Sequence, residues 1–451
     1  NISQTGTLTV SGVTTLAAGT TGDITLAQSG NEFGALVTLV SGDDVTLSDA
    51  SDLTLSGAST GNLNVTTGDV LTLGTLTTGG DLVLSAAGAI TQENATDVLT
   101  ISGTTTLTAA DTNGTYDITF ANVSDTDVSL NEFLGAVTIV NAADVALRDR
   151  DALTIGITAS GDANLFAENT LFLGQSNVDG DLRARGNFTL SGDITANKLD
   201  LISTNFYDMA NHTVTAMTGD IVIEAEDFIV LGQLVALNGN IFVSTENGTI
   251  TDGFGTEKRN IGTSGTTTLN AGAGNLSIKM WAVGSLENAT KADDDAGTID
   301  IAVAALSDVT APDGVKLAIG VGNQGTFQGV LNTGGDLELD FGAAGLVMAA
   351  ESALRAGGNV TILSGGDITL AEVAAGRDST LSLVTQGVVQ GLTNANGAAN
   401  ITGGTLILDI AKDIGTSTQA VTLDALSATN GGNGVVRLVK TPENAYLDIL
   451  T

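Results

Sequence analysis

Adjacent acidic residues are the first feature of this sequence that could support catalysis. Asp43 and Asp44 offer two neighbouring carboxylates, an arrangement that could provide the acid and the base of a sugar-cleaving enzyme. One hundred residues later the aligned positions hold Ala143 and Asp144, so only the second carboxylate recurs. The one histidine, His212, stands alone in Asn-His-Thr. Because an active site needs several convergent polar groups, the sequence predicts no catalytic residues and no enzyme.

Calcium binding and partner contact are two further possibilities. Asp293, Asp294 and Asp295 form a run of hard oxygen ligands of the kind that calcium prefers, and Asp43–Asp44 is a second candidate. Neither segment has the spacing of an EF-hand, and solvated turn carboxylates are the favoured explanation of both patterns. Trp281, the single tryptophan, could stack on a sugar ring or dock a partner if it is exposed, whereas buried under a loop it would only fill space. No other cofactor is predicted.

The composition argues against several classes of partner. The chain has 51 acidic and 15 basic residues and a net charge of −36, so it predicts no basic patch to replace the counterions of nucleic acid phosphates. No run of about eighteen or more apolar residues is present, so no membrane insertion is predicted. The chain has no cysteine, and its stability must therefore come from packing without disulfides.

A short motif recurs along the chain: glycine, then aspartate or asparagine, then two apolar residues that are two positions apart. It begins at Gly22, Gly61, Gly80, Gly186, Gly219, Gly239, Gly274, Gly335, Gly358 and Gly366. The step from Gly61 to Gly80 is nineteen residues, which is too short for a strand-helix-strand unit and suits one turn of a strand-only solenoid. Apolar residues two apart face one side of a strand, and the polar residues between strands predict tight or positive-φ corners.

A longer repeat overlies the short one. The triplet NEF at Asn31 returns at Asn131, and the register then holds through pairs such as Asp49 with Asp149. A block of roughly five coils is therefore duplicated, near residues 8–98 and 99–193.

These repeats predict an all-β fold, a right-handed parallel β-helix (β-solenoid) with about 19–20 residues per coil. No segment has the sustained 3.6-residue apolar period of a helix. Residues 1–451 are expected to form a single continuous solenoid, with looser coils and longer loops over residues 250–451.

Three longer segments carry a family resemblance: GDLVLSAAGAITQ at Gly80, SGTTTLTA at Ser102, and NEFLGAVTIVNAADVALRDRDALTIG at Asn131. They resemble the repeat region of large exoproteins of the filamentous haemagglutinin type, which are exported by two-partner secretion. The resemblance covers essentially the whole chain. It implies a secreted protein at the bacterial cell surface, with a role in cell adhesion or biofilm formation. The Asn-Pro-Asn type signature of the family's secretion domain does not occur in this sequence, so the export route is implied by resemblance alone.

The sequence thus favours a structural or interaction protein, a rod-like shaft of a bacterial extracellular adhesin or surface filament. Open coil ends predict that other copies stack end to end, or that further solenoid of the same chain follows. A host or neighbouring-cell surface, or a polysaccharide, is the expected target. Two alternatives are a polysaccharide-processing β-helix enzyme and a carbohydrate- or calcium-binding surface module. Outward threonines such as Thr46 and Thr54 could also order water as in ice-binding solenoids, although threonine is a common strand former.

Overall fold

The computed structural model describes residues 1–120, 131–209, 211–246 and 250–253, the strand segments between residues 261 and 333, and residues 335–340, 345–348, 350, 352–393, 398–425, 435–439 and 444–449. The chain divides into two compact units, Asn1–Thr204 and Asn205–Thr451. Every paired strand in these ranges is parallel to its neighbour, and these ranges contain no helix. The predicted β-solenoid is confirmed, while one continuous solenoid over residues 1–451 stays a prediction.

The described residues of the first unit form twenty-three strands. They are β1 (Ile2–Ser3), β2 (Thr9–Val10), β3 (Thr14–Ala17), β4 (Ile24–Leu26), β5 (Glu32–Phe33), β6 (Val37–Ser41), β7 (Val45–Asp49), β8 (Leu53–Ser59), β9 (Leu63–Thr67), β10 (Leu71–Thr78), β11 (Leu82–Ala86), β12 (Ile90–Gln92), β13 (Leu99–Ile101), β14 (Thr105–Ala109), β15 (Ile118–Phe120), β16 (Glu132–Phe133), β17 (Val137–Ala142), β18 (Val145–Asp149), β19 (Leu153–Ala159), β20 (Ala163–Val178), β21 (Leu182–Leu190), β22 (Ile194–Ala196) and β23 (Leu199–Ser203).

Three parallel ladders run through the first unit. Ladder A joins β1, β4, β7, β9, β11, β14 and β17, and continues through the ends of β19 and β20 to β22. Ladder B joins β3, β6, the second part of β8, the end of β10, β13 and β16. Ladder C joins the starts of β8 and β10, then β12, β15, β18, the starts of β20 and β21, and β23. The chain therefore passes from A to C to B in each coil.

The alternation within each strand decides which side chains enter the core. In β9 the inward residues Leu63 and Val65 are fully buried, whereas Asn64 between them is exposed. Leu63 lies between Val45 of the preceding coil and Leu82 of the following one. Burying one such side chain contributes roughly 1.5–3 kcal/mol, and this contact is repeated in every coil.

Coil length varies along the first unit. Leu63 pairs with Leu82, nineteen residues later, as the sequence predicts. Thr105 pairs with Val137, thirty-two residues later, so this coil is much longer. Ladders A and C continue across this coil, because Thr105 pairs with Val137 and Ile118 pairs with Val145.

The two copies of the long repeat occupy different ladders. We call residues 31–86 the first copy and residues 131–186 the second copy. β7 of the first copy lies in ladder A, whereas the equivalent strand of the second copy, β18, lies in ladder C. Between them the chain returns to ladder A four times, in β9, β11, β14 and β17. The repeat therefore corresponds to four turns and one further face of the coil.

The second unit is also built from stacked parallel strands. They are β24 (Tyr207–Asp208), β25 (Thr213–Ala216), β26 (Ile221–Ala225), β27 (Ile229–Leu231), β28 (Gln233–Ala236), β29 (Ile241–Thr245), β30 (Ile250–Asp252), β31 (Ile261–Thr263), β32 (Thr267–Ala271), β33 (Asn275–Met280), β34 (Ile299–Val303), β35 (Leu306–Ala311), β36 (Gly314–Ile319), β37 (Gly325–Phe327), β38 (Val330–Thr333), β39 (Asp336–Asp340), β40 (Leu346–Met348), β41 (Ala353–Ala356), β42 (Val360–Ser364), β43 (Ile368–Leu370), β44 (Glu372–Ala374), β45 (Thr380–Thr385), β46 (Val389–Gly391), β47 (Ile401–Gly403), β48 (Thr405–Ile410), β49 (Val421–Ala425), β50 (Val435–Leu438) and β51 (Leu447–Ile449).

Three ladders again run through the later coils of this unit. One joins β35, β38, β41, β44, β47, β49 and β51, a second joins β36, β39, β42, β45, β48 and β50, and a third joins β37, β40, β43 and β46. Inward residues such as Leu339 and Ile362 are fully buried. Within the described part of the chain, no helix has the length and apolar character needed to cross a membrane.

Candidate interaction surface

An aspartate or asparagine side chain closes the same corner in successive coils. In the first copy, Asp44 Oδ1 accepts a hydrogen bond from the N–H of Asn62 (2.9 Å), and Asn62 Oδ1 accepts one from the N–H of Asp81 (2.8 Å). In the second copy, Asp144 Oδ1 accepts from the N–H of Asp162 (2.8 Å). Further examples in the second unit join Asp220 to Asn240, Asp336 to Asn359 and Asp367 to Val388. Each bond satisfies a backbone donor where the chain enters a strand.

At several of these corners, the glycine before the hydrogen-bonded N–H leaves room for the aspartate or asparagine side chain of the preceding coil. A Cβ atom at Gly61 would lie 2.5 Å from Asp44 Oδ1, and one at Gly161 would lie 2.0 Å from Asp144 Oδ1. Among the described Gly-Asp and Gly-Asn pairs of the motif, only Gly186 has a positive φ. Glycine is therefore required at positions 61 and 161 because the aspartate side chain of the preceding coil lies so close, and not because the backbone has a positive φ. The recurring motif has a structural role in holding coils together.

A buried asparagine and a buried aspartate hold a second corner in the first copy. Asn31 is fully buried, and its Oδ1 accepts a hydrogen bond from the N–H of Leu8 (2.9 Å). Asp49 is also buried, and it accepts from the N–H of Phe33 (2.8 Å) and from the N–H of Ser51 (2.8 Å). Because β5 pairs only with β2, the Asp49 carboxylate takes the place of a backbone carbonyl at Phe33.

The second copy repeats this corner with more charge around it. Asn131 and Asp149 are buried, and Asp149 accepts from the N–H of Phe133 (2.8 Å) and from the N–H of Asp151 (2.7 Å). Burial raises the pKa of Asp149 to about 6, although these two hydrogen bonds act in the opposite direction. The negative charges of Asp151 and Glu132 add to the increase.

The outward side chains of the two copies differ more than the inward ones. On the outside of ladder A, the first copy carries a column of small hydroxyl side chains, Ser48, Thr66 and Ser85. On the outside of ladder C, the equivalent column of the second copy is Arg148, Phe166 and Arg185. The guanidinium carbon of Arg148 lies 4.3 Å from the centroid of the Phe166 ring, which is a cation–π contact.

Two more arginines flank this column. Arg183, beside Arg185 in β21, has its Nε 3.5 Å from Asp200, and Arg150 forms an ion pair with Glu132. The side chains of Arg183 and Arg150 are 42% and 47% exposed. Ion pairs this exposed contribute little to stability. A guanidinium has five N–H donors, so each of these arginines can hold a second carboxylate.

We call Arg148, Arg150, Phe166, Arg183 and Arg185 the arginine face. Five of the 15 basic residues of the chain lie between residues 148 and 198, whereas residues 1–147 contain sixteen acidic residues and no Lys, Arg or His. The absence of a nucleic acid partner stays a prediction, but this part of the chain has a local concentration of arginines that the total charge conceals. A signal for it was present in the sequence, because Arg148 and Arg185 align with Ser48 and Ser85 of the first copy.

The predicted calcium ligands Asp43 and Asp44 make hydrogen bonds within the protein. Asp44 accepts from the N–H of Asn62, and Asp43 Oδ1 lies 3.2 Å from the hydroxyl of Thr60, which donates to it. In the part of the chain that the structure describes, no group of three or more His, Asp or Glu side chains is placed to hold a metal ion. The calcium role of Asp43 and Asp44 stays a prediction.

The other predicted site residues are Trp281, Asp293, Asp294 and Asp295. All four lie outside the described residues. Their roles in partner contact and calcium binding stay predictions.

One family model is similar to part of the chain. The family is described as repeats of unknown function (DUF5649), and its model matches residues 1–40 and 60–140. The match supports a repeat protein, lies within the first unit, and leaves the resemblance to filamentous haemagglutinin-type exoproteins a prediction. No curated protein and no solved structure is significantly similar to the chain.

Proposed function

We propose that this chain is a structural shaft, a stretch of solenoid that spaces the parts of a secreted adhesin or filament on a bacterial surface. The observation that supports it is the stacking of coils, in which parallel ladders join strands of successive coils and a corner hydrogen bond of the same kind recurs. Because each coil contacts its neighbours, the length of such a protein is set by the number of its coils. The resemblance to secreted exoproteins supports the extracellular location.

End-on continuation is part of this proposal. A cavity of about 560 Å³ opens at the first coil, and its lining includes Leu8, Leu16, Leu26 and Phe33. The strands of this coil, β1, β2 and β3, each pair with one neighbour only. A further coil, from the same protein or from another copy, would cover these apolar side chains and pair the open strand edges.

Removing one complete coil tests the shaft role. Deletion of residues 63–81 places Asn62 before Leu82, so the corner sequence is kept and Val45 stacks on Leu82 in place of Leu63. We expect the variant to fold and to be displayed as the wild type is, because a spacer depends on coil number and not on any one coil. Deletion of residues 63–72 removes half a coil and is the control, and it should prevent folding. Loss of display in the full-coil variant with an intact fold would contradict the proposal.

The location is tested by labelling. Asp111, Asn113 and Gly114 lie in an exposed turn, where an epitope tag can be inserted without disturbing a strand. Immunogold labelling of intact producing cells should place the tag outside the envelope. Label that appears only after the cells are permeabilised would rule out a surface shaft.

A further inference from the structure

We propose that the arginine face docks on the acidic segment of a second copy of this chain, so that two copies associate side by side. The acidic segment is residues 23–97 of the first unit. This contact is different from end-on stacking and does not depend on the shaft role.

The arginine face is arranged for such a contact. Arg148, Phe166, Arg183 and Arg185 lie in neighbouring parallel strands of ladder C, which are spaced by one coil, about 4.8 Å, and Arg150 directly follows the first of these strands. Arg148 is buried against the ring of Phe166 and supports the column, so the contact is made by the more exposed arginines. Arg183 and Arg150, the most exposed members, lie on either side of this column.

The acidic segment offers the complementary surface. It carries the exposed carboxylates Asp52, Asp69 and Glu93 at the ends of the ladder C strands β8, β10 and β12, and it contains no basic residue to compete for them. Its strands have the same coil spacing as the arginine face, because the two regions share one repeat. The ladder C residues in register between these carboxylates are Thr54, Thr72 and Thr91, whose small side chains allow a flat neighbouring sheet to approach closely.

Symmetry makes the contact self-limiting. Each copy has one arginine face and one acidic segment, so a two-fold axis would form two identical contacts and close the pair. The net charge of −36 opposes association over long distances, but salt at about 0.15 M screens charges beyond about 8 Å while contacting pairs remain effective.

Sedimentation velocity of the full chain tests the proposal. We expect association at about 0.15 M salt that weakens at about 1 M. The double variant Arg183→Gln/Arg185→Gln should bind itself at least about tenfold more weakly. The double variant Arg355→Gln/Arg377→Gln loses the same charge from the second unit, and it should behave as the wild type does.

Mixing two variants gives the sharper result. Asp69→Asn/Glu93→Gln should also bind itself at least about tenfold more weakly, yet its arginine face is intact and can hold the acidic segment of the Arg183→Gln/Arg185→Gln variant. A mixture should therefore associate through one of the two contacts, more strongly than either variant does alone. A wild type that is monomeric at both salt concentrations overturns the proposal, and so does unchanged association of the arginine variant. Monomeric wild type that binds dextran sulfate would assign the face to a foreign polyanion instead.

Discussion

The first and second copies share their inward side chains and differ in their outward ones. Leu53 and Leu153, or Leu71 and Leu171, are buried at equivalent places, and the corner aspartates Asp49 and Asp149 are buried too. Outside, a column of Ser and Thr in one copy is replaced by Arg and Phe in the other. The narrow core tolerates only side chains that fit between two coils, whereas the outer face is free to acquire a new surface chemistry.

The largest effect is expected where the copies differ in backbone conformation. Gly57 has a φ of +114°, and a Cβ atom there would lie 2.0 Å from the Leu39 carbonyl oxygen. Its equivalent in the second copy is Ile157, which is buried. Gly57→Ile should destabilise the first copy by more than about 4 kcal/mol, because the new side chain would clash with the Leu39 carbonyl and isoleucine would also be strained at a positive φ. Hydrogen exchange of β6 and β8 measures this loss, and protection equal to the wild type would show that the two copies are interchangeable here.

Removing the corner carboxylate should cost less. Asp149→Ala leaves the buried N–H of Phe133 and the part-buried N–H of Asp151 without this acceptor, and we expect a loss of about 2–4 kcal/mol. Asp49→Ala should destabilise the first copy by a similar amount, because Asp49 accepts from Phe33 and Ser51 in the same way. Amide exchange at Phe33 and Phe133 reports each corner separately. If only one variant opens its corner, the two corners are not equivalent.

The charge around the second corner predicts a pH effect. The folded-state pKa of Asp149 is about 6, above its ordinary 3.8, so the folded protein binds this proton more tightly than the unfolded chain. Stability from this group is therefore fully present below about pH 4 and is lost as the pH rises through 6, by roughly 2 kcal/mol. Exchange at Phe133 should accelerate over this range in the wild type beyond the intrinsic pH dependence. Asp149→Asn should remove the additional acceleration, and an unchanged profile in that variant would assign the effect to another group.

Making the outer column of the second copy like the first should have a smaller effect. Arg148→Ser removes the guanidinium that covers Phe166, and we expect a loss of about 1 kcal/mol. Ser48→Arg is the reciprocal change, and it should give no stabilisation because Thr66, not a ring, lies beside it. Thermal unfolding of both variants makes the comparison, and stabilisation by Ser48→Arg would show that the aromatic partner is not needed.

The smallest effect is expected at the exposed ion pair. Arg150→Ala converts the residue to that of the first copy, Ala50, and breaks the pair with Glu132. Because the Arg150 side chain is exposed, the change in stability should be small. Chemical denaturation at low and high salt measures it. A loss of several kcal/mol would mean that Arg150 supports the buried Asp149 corner and not only the surface.

Much of the first unit could be predicted from the repeats. The sequence predicts the nineteen-residue step from Leu63 to Leu82, because the side chains of a strand alternate with a period of two. It also predicts the alignment of the two copies, which begins at Asn31 and Asn131. The role of the motif glycines could not be predicted. Nothing local at Gly61 shows that Asp44 of the preceding coil fills the space beside it.

The arginine face shows where sequence reasoning stops. Arg148 and Phe166 are eighteen residues apart, and they touch because both lie in ladder C, one coil apart. A count of charges over the whole chain conceals the four arginines that lie close together in this part of an acidic protein.

The sequence by itself determined that the chain forms stacked parallel coils, since alternating apolar residues and recurring polar corners leave no other way to bury the Leu, Val and Ile side chains. Only the tertiary structure decided which face each copy occupies. The face depends on the number of strands between the two copies. This number cannot be read from the sequence, because coil length varies, as in the thirty-two-residue coil from Thr105 to Val137.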